Sequence, residues 1–373
     1  MRKRILFSLI SLILILPLIS PLASCSSTKT TEVIKLSYAD FFPPTNWNSI
    51  LAKQWCDELS KASDGRIEIT YYPAGQLAAA AKIADAVETG IADIGMSVVS
   101  YTMGRFPASE LVEMPHNYPN GWTATMAAWD FMKKYNLAEW NNYHLLYFHA
   151  HGPQVIFSTR KPVRTIDDLK GLVIRSTGIG AKIIEALGAK GYAAGQGDAY
   201  ELMSKGTIDG SFTPREPLKG WNQAEVVNYV TGTYAIGSTA GFFVAMNKTK
   251  WDSLPKDIQK IFTDVSGKWV EKHAMSWTAY DKAAIDLFLS MNGKELIELN
   301  DTEMARFGAA VQPVVAAYIS ERAAKGLPAE EYEKYLKERV AYWSSRAPSE
   351  QECLDWANKN IVPFVPTTTT TAK

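Results

Sequence analysis

Gly171-Leu172-Val173-Ile174-Arg175-Ser176-Thr177-Gly178 is a short apolar run that ends in an arginine and breaks at Ser-Thr-Gly, with a helical pattern following over Ala181 to Ala189. A continuous apolar run without alternation fits a strand covered on both faces of a parallel sheet. Open α/β sheets bind their ligands at the C-terminal ends of such strands, where Arg175 stands. Its planar fork matches a carboxylate bidentately, and the helix N-terminus beyond adds a favourable potential for an anion. The competing reading is an exposed arginine in a surface ion pair, worth at most about 1 kcal/mol.

Outward from this segment the chain alternates strand and helix. Val33 to Tyr38 and Arg66 to Tyr72 alternate as strands, Trp47 to Ala62 has helical spacing, Ala78 to Glu88 reads as an Ala-rich helix, and Ile91 to Val99 as a strand. Strand-helix-strand order implies parallel pairing through crossover helices. An echo divides the chain into similar halves. Ala74-Gly75-Gln76, a helix and Gly90-Ile91-Ala92-Asp93 return as Ala194-Gly195-Gln196, a helix and Gly206-Thr207-Ile208-Asp209. Two related lobes imply a cleft between them; ordinary αβ loops are the plainer reading of the same echo. Gly241 to Asn247 reads as a further strand. Asp257 to Met291 has no proline and reads as one helix of roughly 50 Å, long enough to brace both lobes. Asp301 to Ala324, Pro328 to Ser344 and Pro348 to Asn360 read as helices.

The ends of the chain are of another kind. Arg2, Lys3 and Arg4 precede an apolar run from Ile5 to Leu22, then Ala23, Ser24 and Cys25, the three-part pattern of an export signal. Leu22-Ala23-Ser24-Cys25 resembles a bacterial lipobox, which makes 1–24 a signal peptide, Cys25 the lipidated residue and 25–32 a polar tether. A plain signal peptide or an uncleaved anchor helix are the alternatives. The chain has 39 basic and 39 acidic residues; removal of 1–24 takes three basic ones and no acids, leaving −3. No basic excess exists for nucleic acid. Hydrophobic content of 47% excludes a disordered chain, although 362–373, with five threonines, reads as a disordered tail. Cys56 and Cys353 lie far apart in helical contexts and read as buried free thiols, with a disulfide between them, outside the cytoplasm, as the alternative.

Several segments recur in order: the lipobox, Ala92-Asp93-Ile94-Gly95, Asp167-Asp168-Leu169-Lys170-Gly171-x-x-Ile174-Arg175, Gly206-x-Ile208-Asp209-Gly210, and Asn247-Lys248-x-x-Trp251-x-x-Leu254-Pro255. Together they resemble the extracytoplasmic solute-binding proteins of tripartite ATP-independent periplasmic (TRAP) transporters, dicarboxylate-receptor type, over about Val33 to Asn360. The resemblance implies a periplasmic-binding-protein-like α/β fold: two lobes, hinge strands, a long bridging helix, and closure over an organic acid clamped by Arg175. It divides the chain into lobe I, 33–152 plus about 240–285, and lobe II, 153–239 plus about 286–361. The implied partners are the membrane permease subunits, with the receptor held outside the cytoplasm by its lipid. No cofactor is implied, and a cation accompanying the carboxylate is left open.

The sequence departs from the acid-sugar members of that family. Gln154 stands at or near their second arginine, and Thr213 where they carry a ligand-contacting asparagine. With one cation fewer, a monocarboxylate is expected. Phe41, Phe42, Trp47, Phe212 and Trp221 supply an aromatic wall suited to an aromatic or branched acid. Glu216 is either a partner for a ligand amino group or a solvated loop charge.

Enzyme signatures are poor. His149-Ala150-His151 places two imidazoles on one strand face, but no third metal ligand is apparent. There is no G-x-S-x-G elbow, and Gly178-Ile179-Gly180 lacks dinucleotide-loop spacing. A hydrolase on a periplasmic-binding fold and a receptor for a signalling partner are the alternatives to a transport receptor.

Overall fold

The structure, a computed structural model, describes residues 32–361. The signal peptide, Cys25, nearly all of the tether and the threonine tail lie outside the described residues. The strands are β1 (Ile34–Ala39), β2 (Ile67–Tyr72), β3 (Ile94–Val98), β4 (Tyr143–Ala150), β5 (Val155–Ser158), β6 (Val173–Ser176), β7 (Lys190–Ala193), β8 (Gly210–Thr213), β9 (Tyr229–Gly232), β10 (Gly241–Asn247) and β11 (Glu295–Glu298). The helices are α1 (Trp47–Ala62), α2 (Ile83–Glu88), α3 (Gly121–Lys134), α4 (Ile179–Ala186), α5 (Ala199–Ser204), α6 (Pro217–Gly220), α7 (Lys248–Ser253), α8 (Lys256–Ser290), α9 (Asp301–Ala324), α10 (Ala329–Ser344) and α11 (Glu350–Asn360).

Two mixed sheets result. One has the order β2-β1-β3-β10-β4 and the other β11-β9-β5-β8-β6-β7. Read from β2 and from β7, the two sheets have the same plan. A parallel trio (β2-β1-β3, β7-β6-β8) is followed by an antiparallel strand, β10 or β5. The sequence echo has a physical role in this plan. Gly90 and Gly206 both turn at positive φ (+78° and +69°), which glycine adopts without penalty. The Asp three residues on reaches back to the neighbouring strand: Asp93 Oδ2 accepts from the Ser37 N–H at 2.8 Å, and Asp209 Oδ2 from the Val173 N–H at 2.9 Å.

The chain crosses between the sheets at residues 151–154 and again at 233–240. These segments bind each other: Gln154 N–H donates to Ser238 O (2.9 Å), and Thr239 Oγ1 to His151 O (2.6 Å). The third link is α8, 35 residues, about 52 Å at 1.5 Å per residue. Ile258, Phe262 and Trp269 belong to the core around the first sheet, and Ala284, Ile285 and Phe288 to the core around β5 and β9.

Some expected elements differ. Ala78 to Glu88 is a 3₁₀ turn (Ala80–Lys82) followed by the short α2. The helix after Arg175 begins at Ile179, directly after Gly178. β11 joins the second sheet, but α10 packs on α3 and α11 on α8, so the last two helices lie against elements beside the first sheet, whereas 286–361 was expected with the second. Cys56 and Cys353 are buried free thiols.

Candidate functional site

Arg175 lies on β6 between Tyr192 of β7 and Ser211 of β8, and its side chain is buried, 3% exposed. The surface-arginine reading therefore fails. Its Nε and Nη2 both donate to Ala194 O, at 3.0 and 2.8 Å, and Nη1 donates to Gln196 Oε1 at 2.8 Å. A guanidinium has five N–H groups; these three bonds leave a further N–H on each terminal nitrogen, and the Tyr101 hydroxyl lies within hydrogen-bonding reach of the group. Burial pulls the Arg175 pKa down, opposed by the nearby Tyr101 hydroxyl and by Asp198. Among the described residues no carboxylate is bonded to Arg175.

Arg175 opens onto a cavity between the two sheets. Phe41, Phe42 and Trp221 line its wall, with Gln154, Thr213 and Glu216. Gln154 is committed within the protein: Nε2 donates to Phe212 O (3.3 Å), and Oε1 accepts from Ser238 Oγ (2.8 Å). It brings no charge to the cavity, so Arg175 is the guanidinium on its lining.

Two expected residues do not line the cavity. Phe212 precedes Thr213 on a strand, where neighbours face opposite ways. With Thr213 on the cavity, the Phe212 ring is fully buried against Gly180 on the α4 side. Trp47 stacks on Tyr280 (5.2 Å between centroids) and meets Trp277 edge-on (4.8 Å). It reaches the site through its N–H, which donates to Glu216 Oε1 at 3.1 Å.

Glu216 is not a solvated loop charge. It is 1% exposed, and Asn46 Nδ2 also donates to its Oε1, at 2.9 Å. The helix start that sets Trp47 in place thus also holds a carboxyl from the loop after β8. The residues that sequence reasoning missed are Tyr101, His151, Gln196, Phe242 and Trp277. Gln196 belongs to the repeated Ala-Gly-Gln and was read only as part of an echo; Tyr101 and Trp277 carry no local signal.

The His149-Ala150-His151 pair has a different use. His149 stacks on Phe242 (5.0 Å) and on His273 (4.1 Å), and its Nδ1 accepts from Trp277 Nε1 at 2.9 Å. Burial holds His149 well below the usual imidazole range and takes His151 to about 4 and His273 to about 3. No group of three metal-ligating side chains occurs among the described residues.

Four buried acids near the cleft have raised pKa values, each through burial. Glu113 and Glu216 are pushed up to about 8, Asp40 and Asp281 to about 7. The folded state thus keeps protons that the unfolded chain loses above the ordinary carboxyl range. The associated stability is present at low pH and is lost as pH rises through about 7 to 8. The buried histidines act oppositely: their lowered pKa values cost stability only as pH falls below about 6.5. The range from roughly pH 6.5 to 8.5 therefore isolates the acids. The expected result is a melting temperature that falls across it, with a shallower slope in Glu113→Gln. A flat or rising melting profile in both proteins would sink this assignment.

Comparison with known proteins agrees with the geometry. Residues 38–321 match the family model DctP, bacterial extracellular solute-binding protein, family 7. A monocarboxylate 2-oxoacid-binding periplasmic protein of Nostoc is 27% identical over 294 residues, 74% of this chain and 76% of that one. A TRAP solute-binding protein of Rhodoferax ferrireducens, solved with copurified benzoate, is 28% identical with TM-score 0.78 and covers 85% of this chain and 100% of its own. A marine-metagenome TRAP solute-binding protein specific for aromatic acid ligands, solved with metahydroxyphenylacetate, is 26% identical with TM-score 0.78, covering 83% and 99%. The fold class is that of these proteins. The two-sheet frame, the buried arginine at a strand end and the matched span agree, and the chain belongs to the DctP family of bacterial extracellular solute-binding proteins, as a TRAP-type receptor and not an enzyme.

Proposed function

We propose that this receptor captures a small monocarboxylic acid with an aromatic or branched body, held by Arg175, and hands it to the membrane permease subunits of a TRAP transporter. The observation that carries this reading is Arg175: a buried guanidinium with no carboxylate bonded to it among the described residues, facing an aromatic cavity. A buried charge with no carboxylate bonded to it is costly, and a ligand carboxylate on the guanidinium offsets that cost. A single cation suits a single carboxylate; the acids bound by the Rhodoferax and metagenome proteins are monocarboxylates of this kind. The aromatic wall of Phe41, Phe42 and Trp221 suits the body of the ligand.

The working motion is closure of the lobe built on the first sheet, with α10 and α11 beside it, on the lobe built on the second, with the paired crossing segments as the hinge. A ligand touching both lobes stabilises the closed form by its differential affinity for it. Anchoring through a lipid on Cys25 rests on the lipobox Leu22-Ala23-Ser24-Cys25.

The test is a thermal-shift screen of the chain beginning after Cys25. A site-specific ligand at 100 times its dissociation constant stabilises by about 2.7 kcal/mol. Benzoate-like or branched monocarboxylates are expected to raise the melting temperature. A shift only with dicarboxylates would point to a second cation, and no shift with any acid, after extraction of copurified ligand, would overturn the reading.

A further inference from the structure

Among the described residues six indole N–H groups have a side-chain acceptor: those of Trp47, Trp55, Trp140, Trp269, Trp277 and Trp343. Trp221 does not follow them. Its Nε1 is buried and has no partner among the described residues, although the ring lines the ligand cavity. The ring is held in place: it lies 5.6 Å from Phe42, and the far edge of the indole passes Gly197. A donor removed from water and left unpaired is unfavourable, so its position on the cavity wall points to an acceptor supplied by the ligand.

A second buried donor in the same cavity is also free. Gln196 Nε2 has no partner among the described residues. The carboxamide cannot turn to serve it, because Oε1 takes Arg175 Nη1 at 2.8 Å and Thr213 Oγ1 at 3.4 Å. Gln196 thus sits beside the guanidinium, where its N–H suits the carboxylate of the proposed ligand. Trp221 contacts the aromatic wall instead, which suits the body of the proposed ligand.

We propose that Trp221 is a specificity-determining residue whose N–H binds an oxygen on the body of the ligand, so that the receptor prefers an oxygen-substituted acid, hydroxy or oxo, to its unsubstituted parent. This rests on the monocarboxylate reading above. The oxygen has two possible locations, on the ring or on the carbon beside the carboxylate, and both would serve as the acceptor.

The test compares two pairs of acids by titration calorimetry: benzoate with 3-hydroxybenzoate, and phenylacetate with mandelate. The wild-type chain is expected to prefer the oxygenated member of at least one pair by about tenfold; the pair that discriminates locates the oxygen. In Trp221→Phe, which keeps an aromatic wall and removes the donor, that preference should fall to within about threefold, while the parent acid binds nearly as before. Equal affinity within both pairs for the wild type, or a preference that survives in Trp221→Phe, overturns the proposal and leaves the monocarboxylate reading intact. Failure of all four acids to bind overturns both. Should Trp221→Phe not fold, wild-type protein with ¹⁵N-labelled tryptophan decides: the Trp221 indole resonance is expected to move on addition of the oxygenated acid and not the parent. The same response to both acids counts against the proposal.

Discussion

Arg175→Ala is expected to weaken monocarboxylate binding by a factor of about 100 or more while leaving the ligand-free protein as stable as before, or more so. The two halves of this expectation have one cause. In the ligand-free protein the guanidinium is buried with neutral partners, Ala194 O and Gln196 Oε1, and burial already pulls its pKa down. Removing an uncompensated buried charge relieves a desolvation penalty, at the expense of three hydrogen bonds. In the complex the same charge faces a carboxylate, and truncating one partner of a buried charged pair costs about 2 to 5 kcal/mol. Arg175→Lys should fare little better. An ammonium has no fork, cannot reproduce the contacts to Ala194 and Gln196, and presents a point charge where two parallel donors are needed. Titration calorimetry with the best acid from the screen, alongside melting of the ligand-free variants, checks both halves. Unchanged affinity in Arg175→Ala would remove the residue from the site. Lowered ligand-free stability with affinity retained would make it a structural strut between β6 and the loop after β7.

The arginine could be found from sequence because its signal is local. An apolar run that stops at an arginine and is followed by a helix start defines a strand end, and a strand end in an α/β sheet is where a site forms. The repeat could be found for a similar reason. Gly90 and Asp93, like Gly206 and Asp209, are close in sequence and do one job, turning the chain and tying it to the neighbouring strand. What was hidden comes from distant parts of the chain. Tyr101 reaches Gln196 from a turn after β3, and Trp277 comes from the middle of α8; neither position is distinguished by its neighbours. Trp47 was expected on the cavity and instead supports Glu216 from behind, a distinction that depends on how α1 meets α8. Phe212 is different, because alternation along β8 already separates it from Thr213: both could not face the same side.

Gly178→Ala should raise the dissociation constant by at least about tenfold without unfolding the protein, and a second substitution across the cleft should recover part of the loss. Gly178 follows β6 and has φ +52° and ψ −130°. A Cβ there would lie 2.4 Å from the Cβ of Ser100, which follows β3 of the other sheet, and 3.3 Å from Glu113 Oε2. The first contact cannot be relieved by rotating a side chain, because both atoms are fixed to their backbones. It can be relieved by moving the two sheets apart, which opposes the closure that binding requires under the proposed mechanism. The methyl group should therefore act mainly on the bound state, and the population shift needed for tenfold weaker binding is only about 1.4 kcal/mol. A second cost arises within the residue: backbone at φ +52° and ψ −130° is open essentially to glycine alone and costs alanine about 1 to 3 kcal/mol whatever lies opposite. The double variant Gly178→Ala with Ser100→Gly separates the two. It removes the Cβ that is struck and leaves the backbone cost untouched. If the clash governs, the double variant should bind several-fold more tightly than Gly178→Ala alone, beyond the effect of Ser100→Gly by itself. X-ray scattering should show ligand-induced contraction restored along with affinity. No recovery of either would place the whole effect in the backbone at Gly178 and remove the contact with Ser100 from the mechanism of closure.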